Sequence, residues 1–150
     1  MIEWMIAQGC KLSIHAIGVA AKNGHIHILK WMQANNYLSE NGNVLICKAA
    51  ALQGQLGVLQ WADCNGFDWG GDICSLAASK GHLDVLKWAR CNGFPWDEDT
   101  CASASAAGHL DVLEWLRAEG CPWDKDTLKQ ASMWRHEHVL KWDRRNGCPR

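Results

Sequence analysis

Apolar and polar positions fall into a pattern that recurs along the chain. Between Leu110 and Arg117, Leu110, Val112, Leu113, Trp115 and Leu116 are apolar, while Asp111, Glu114 and Arg117 are polar. At roughly 100° per residue the apolar set covers about 220° of a helix, too wide for a lone surface helix. The pattern predicts a short helix buried by neighbours on two sides. Trp115 falls at the edge of the arc, with its ring expected in a seam between units and its N–H near water. A second short helix is predicted just upstream. Asp97 is a fitting N-cap, and Glu98 and Asp99 follow in the positive first turn; Asp124 and Asp126 repeat the arrangement. Cys101, Ala104 and Ser105 share one face of that helix, as do Cys74, Ala77 and Ala78, and such small side chains allow close helix approach. Ala102, Ser103, Ala106 and Ala107 are expected to point outward, matched by Ser75, Leu76, Ser79 and Lys80 one unit earlier. Gly108 and its counterparts turn the chain between the two helices.

The tryptophans set the period. Trp4, Trp31, Trp61, Trp88, Trp115 and Trp142 are separated by 27, 30, 27, 27 and 27 residues. A fixed period of this length means stacked supersecondary units. Five copies align as KNGHIHILKW from Lys22, LQGQLGVLQW from Leu52, SKGHLDVLKW from Ser79, AAGHLDVLEW from Ala106 and MWRHEHVLKW from Met133. Each ends at Gly66, Gly93, Gly120 or Gly147, with Asn36 in the first, the mark of a helix-ending position with positive φ. Pro95, Pro122 and Pro149 follow, where a helix cannot continue. The three-residue excess lies between Tyr37 and Cys47 and is expected as a longer loop. The chain divides into a half-unit at 1–10 and units at 11–37, 38–67, 68–94, 95–121 and 122–150. Trp69, Trp96 and Trp123 form a second 27-residue series, and Trp134 belongs to neither.

Composition adds limits. The chain has 150 residues, 48% of them hydrophobic and 21% charged, which is globular usage rather than disordered. The net charge of −1 carries no basic excess for nucleic acid, and no apolar run is long enough for a membrane span. The 10 Trp and 8 Cys raise the prospect of disulfides, a metal or an aromatic binding site. Their placement answers it. Cys47, Cys74 and Cys101 share one position in the repeat, as do Cys64 with Cys91, and Cys10 with Cys121 and Cys148. No C-x-x-C occurs, and equivalent residues in stacked units stand roughly 8–10 Å apart, beyond disulfide reach. All eight are expected to be buried reduced thiols acting as small hydrophobes. His25, His82, His109 and His136 form a column at the start of the second helix. His25 with His27 and His136 with His138 are two apart, on opposite helix faces, so no metal is expected. Ser75, His82 and Asp84 have the counterparts Ala102, His109 and Asp111, so no unit is marked as catalytic. The expectation is no enzyme, no cofactor and no metal.

The run A-A-x-x-G-H-L-D-V-L-K-W at Ala77–Trp88 resembles the core of an ankyrin repeat. Gly108–Asp124, GHLDVLEWLRAEGCPWD, is similar to the shortened, Trp- and Cys-rich ankyrin-like repeats of large DNA viruses and some amoebal proteins. The resemblance implies an all-α solenoid of stacked helix-turn-helix units. Ankyrin units run to about 33 residues, and here the missing residues fall between Gly120 and Thr127. The family's Thr-Pro-Leu-His is also replaced, by Asp99-Thr100-Cys101-Ala102, so the projecting β-hairpin is expected to shrink to a tight loop.

The resemblance further implies a non-catalytic scaffold acting in the cytoplasm (a host's, if viral) that binds a protein partner along its concave face. The partner-facing pairs carried over are Lys22 with Asn23, Leu52 with Gln53, Ser79 with Lys80, Ala106 with Ala107, and Met133 with Trp134. Trp134, beside apolar Met133, is the strongest single candidate. Trp69, Trp96 and Trp123 are either an aromatic row for a partner or packing that covers the shortened hairpin. In the last unit Arg135, Glu137 and Asp143 replace Gly108, Leu110 and Leu116, as a solubilising end unit would require. Ile2, Met5 and Ile6 of the half-unit have no first-helix partner. The alternative reading is therefore a truncated or self-associating array, joined end to end through that half-unit.

Overall fold

A computed structural model describes residues 14–149. The half-unit at 1–10, with Trp4, Cys10 and the self-association expected of it, lies outside the described residues.

Helices come in pairs, one pair per unit: α1 (Ile14–Lys22) and α2 (Ile26–Ala34), α3 (Glu40–Leu52) and α4 (Leu56–Cys64), α5 (Ile73–Ala78) and α6 (Leu83–Cys91), α7 (Glu98–Ala107) and α8 (Leu110–Ala118), α9 (Lys125–Met133) and α10 (Glu137–Arg145). No strand occurs among the described residues, and the α8–α9 connection is a tight loop where the hairpin was expected to be lost. The fold is an α-solenoid.

The caps fall where polar side chains allow them. Asp97 accepts from the Thr100 amide and closes a capping box on α7, and Asp124 accepts from the Asp126 and Thr127 amides on α9. Helix ends fall at Asn36, Gly66, Gly93, Gly120 and Gly147, all with φ between 58° and 82°. The three-residue excess is not a loop. It lengthens α3 to 13 residues, with Ser39 as N-cap accepting from the Gly42 amide, because Ser39 starts the helix earlier than its counterparts do.

First helices pack on one another along the array, α1 on α3, α3 on α5, α5 on α7 and α7 on α9. Cys74, Ala77, Ala78, Cys101, Ala104 and Ser105 are buried in these seams. Ala102 is buried as well, not outward, because α9 lies close enough over α7 to cover it. Second helices pack mainly on their own first helices. Their buried Val85, Leu86, Val112, Leu113 and Leu116 are bulkier and hold them further apart. The first-helix row is therefore the tighter side of the stack.

Candidate binding surface

Every carried-over residue sits at the C-terminal end of a first helix. Lys22 ends α1, Leu52 ends α3 with Gln53 as its C-cap, Ser79 caps α5, Ala106 and Ala107 end α7, and Met133 ends α9 with Trp134 as its C-cap. None is buried. The residues thus form a ridge that advances one step per unit. Met133 and Trp134 stand out on it, at 61% and 60% exposed, among the few large hydrophobic side chains left open. Trp134, Ala106, Ala107 and Ser79 come together with Ser103 around a shallow depression of about 280 Å³, contributed by three successive units.

A ladder of side chains fixes the spacing of this ridge. The ring N–H of His82 donates to the Leu52 carbonyl at 3.3 Å, and that of His136 to the Ala106 carbonyl at 3.0 Å. Where the second unit has glutamine instead, Gln55 Nε2 donates to the Lys22 carbonyl at 3.0 Å. Three units therefore grip the backbone of a ridge residue in the unit before them. The glycines follow from this. Gly108 has φ 76°, and a Cβ there would lie 2.6 Å from Nδ1 of His136. Both the backbone conformation and the neighbouring ring exclude a side chain. Arg135 takes the equivalent position at φ 60° with its side chain exposed, at some backbone strain.

The loop tryptophans are half-buried and engage the second-helix tryptophan of the same unit. Ring centroids are 5.4 Å apart for Trp69 and Trp88, and 5.8 Å for both Trp96–Trp115 and Trp123–Trp142. Arg90 lies 4.5 Å over Trp96 and Arg117 4.2 Å over Trp123, closing their other faces. Arg117 also donates to the Cys121 carbonyl, which ties the loop to α8.

The thiols divide. Cys47, Cys74, Cys101, Cys121 and Cys148 are free and buried. Burial pushes the Cys47 thiol up to about 12, helped by Asp68 and Asp63, and Cys74 and Cys148 up to about 11. A hydrogen bond with Cys101, then burial, raises Cys121. The raised pKa makes Cys47, Cys74, Cys121 and Cys148 poor nucleophiles. Cys64 and Cys91 are free but exposed, contrary to the expectation that every thiol is buried. They are the last residues of α4 and α6, where the helix leaves the core.

Asp143 also departs from expectation. Glu137 and Arg135 are exposed, but Asp143 is 0% exposed. Neither of its carboxylate oxygens has a hydrogen-bond partner, and burial raises its pKa to about 6. It occupies the column of Met32, Ala62, Ala89 and Leu116, all of which are buried. The repeat register carried that signal, since every other member of the column is apolar.

Among the described residues no group of three or more His, Cys, Asp or Glu side chains is arranged to hold a metal, and no helix is long and apolar enough to cross a membrane. Residues 74–117 match the family model described as ankyrin repeats (many copies). No curated protein matches the chain. Ankyrin repeats are in general protein–protein interaction modules, and the family is typically non-catalytic.

Proposed function

We propose, from the match of residues 74–117 to ankyrin repeats and the helical repeats around it, that the chain is a non-catalytic scaffold binding a protein partner along the first-helix ridge. The tighter packing of the first-helix row turns that side inward, so the ridge lines the concave face of the array. The observation that carries the reading is the pair Met133 and Trp134. Both are more than half exposed, and Trp134 borders the depression shared with Ser79, Ala106 and Ala107. An exposed tryptophan beside a shallow apolar hollow has the character of an interface anchor, since tryptophan dominates binding energy when a partner covers it. The loop tryptophans are a weaker basis, because their rings are already engaged by Trp88, Trp115, Trp142 and the two arginines. Exposed free thiols at Cys64 and Cys91 favour a reducing compartment, in keeping with a cytoplasmic place of action.

The test is affinity capture with the wild-type chain and Trp134→Ala side by side, followed by titration of the captured protein in purified form. The expected result is binding weakened by roughly 30-fold or more in the variant, the loss of a hot-spot residue. A partner whose affinity is unchanged by Trp134→Ala sinks the reading.

A further inference from the structure

The loop carrying Trp69 differs from its two successors at the positions that surround the tryptophan. Arg90 of α6 lies over Trp96, and Arg117 of α8 lies over Trp123. One unit earlier, Trp69 holds the tryptophan position and Asp63 of α4 the arginine position. The proline before each later tryptophan, Pro95 and Pro122, is replaced by Asp68. The ring itself keeps its place. Trp69 packs on Trp88 with centroids 5.4 Å apart, against 5.8 Å for both later pairs. This unit has therefore kept the tryptophan, exchanged the cation that covers it for a carboxylate, and added a second carboxylate beside it.

The charge around Trp69 is one-sided. Asp63 and Asp68 are exposed, and Trp69 is half-buried. Among the described residues neither carboxylate joins an ion pair, and no cation stands over Trp69. Asp68 Oδ1 accepts from the Gly70 amide at 3.1 Å, which holds that carboxylate beside the ring and leaves Oδ2 to accept from elsewhere. Both carboxylates act on the buried Cys47 thiol and so share one neighbourhood. Trp88 and Phe94 cover other sides of the ring, Phe94 edge-on at 4.6 Å. The side toward Asp63 is the one that a guanidinium covers in the next two units. A tryptophan face flanked by two carboxylates attracts a cation through both the ring quadrupole and the charges. A planar guanidinium suits it better than an ammonium, because it stacks on the ring while its N–H groups reach the carboxylates.

We propose that Trp69, Asp63 and Asp68 form a seat for an arginine side chain of a protein partner. The guanidinium lies over Trp69 as Arg90 and Arg117 lie over their rings, and donates to Asp63 and Asp68. The occupant follows from the charge of the seat and from the group that fills the same position in the two sister units. An anionic or apolar side chain gains neither contact. The seat is interior to the array, between the second and third units. It sits at the end of α4 away from the α3–α4 turn that carries Leu52 and Gln53, and so stands independently of the ridge.

The test is a titration of the whole chain followed by NMR at the Trp69 indole N–H. The probe is a blocked tripeptide with a central arginine, compared with the same peptide carrying citrulline, its neutral isostere, or lysine. The arginine peptide is expected to shift the signal saturably, with the citrulline peptide weaker by about tenfold or more and the lysine peptide by about threefold. Asp63→Arg rebuilds the sister arrangement, so the chain's own guanidinium fills the seat; peptide binding should be lost and the circular dichroism unchanged. Asp63→Asn with Asp68→Asn, both at exposed positions, should weaken the arginine peptide by about tenfold without filling the seat. No saturable shift, equal affinity for the citrulline or lysine peptide, or undiminished binding to either variant overturns the proposal. So does tighter binding of free arginine than of the blocked peptide, which would assign the seat to a small-molecule cation. Trp134 is left intact throughout, so failure here is distinguishable from failure of the concave-face reading.

Discussion

Replacing Asp143 by leucine should stabilise the protein, and the gain should depend on pH in a way that identifies its origin. The carboxyl is 0% exposed, without a hydrogen-bond partner, in a column whose other described members are apolar. Burial holds its proton up to about pH 6, against an ordinary value of 3.8. The folded state therefore binds a proton more readily than the unfolded state. Stability from this group is fully present below about pH 4, falls as pH rises through the window to 6, and is at its lowest above that. The penalty for keeping the ionised group buried at neutral pH is about 3 kcal/mol. Asp143→Leu removes that penalty and adds roughly 1–2 kcal/mol of apolar burial that is present at all pH values. Repeat arrays unfold unit by unit, so the effect belongs to the last unit. The suitable assay is amide hydrogen exchange of residues 137–145, read by mass spectrometry at pH 7 and pH 4. The pH-dependent part corresponds to roughly 100-fold greater protection in the variant at pH 7, shrinking toward the burial contribution alone at pH 4. Equal gains at the two pH values, or a loss of protection at pH 7, would refute the argument that the carboxylate is buried and unpartnered.

Three further outcomes follow from the packing. Trp88→Ala removes a ring in contact with both Trp69 and Phe94 and should cost roughly 3 kcal/mol in urea unfolding; a loss below about 1 kcal/mol contradicts a load on that column. Gly108→Ala should destabilise by roughly 1–3 kcal/mol, because of its positive φ and the ring of His136, whereas Arg135→Gly should stabilise by about 1 kcal/mol; thermal midpoints moving the opposite way would show that the His–Gly ladder is misassigned. Thiol labelling under native conditions should modify Cys64 and Cys91 within minutes, while Cys47, Cys74, Cys101, Cys121 and Cys148 react only on unfolding; rapid labelling of the second group means an open core.

Much of the architecture was legible because a stacked repeat writes each contact several times. The Trp spacing, the Gly and Asn helix ends and the capping aspartates at Asp97 and Asp124 all lie where local chemistry places them. Departures arise where a residue's surroundings come from another unit. Ala102 looks outward on its own helix but is covered by α9. Asp143 looks like a surface charge, yet its position in the repeat places it inside. The extra residues before Cys47 contain Gly42 and two asparagines and suggested a loop, but the Ser39 cap extends α3 through them. The ridge was visible as a column of variable positions. The gathering of Ser79, Ala106, Ala107 and Trp134 around one depression was not, since it depends on the stagger between three units.

The central claim is that the partner lies along the first-helix ridge. Site-specific photo-crosslinking tests it most directly. A photoreactive residue is placed in turn at Lys80, Ala107 and Trp134 on the ridge, and at Lys87, Glu114 and Lys141 on the exposed face of the second helices. With the captured partner present, crosslinks are expected from the three ridge positions and not from the other three. Crosslinks confined to Lys87, Glu114 and Lys141 would contradict it.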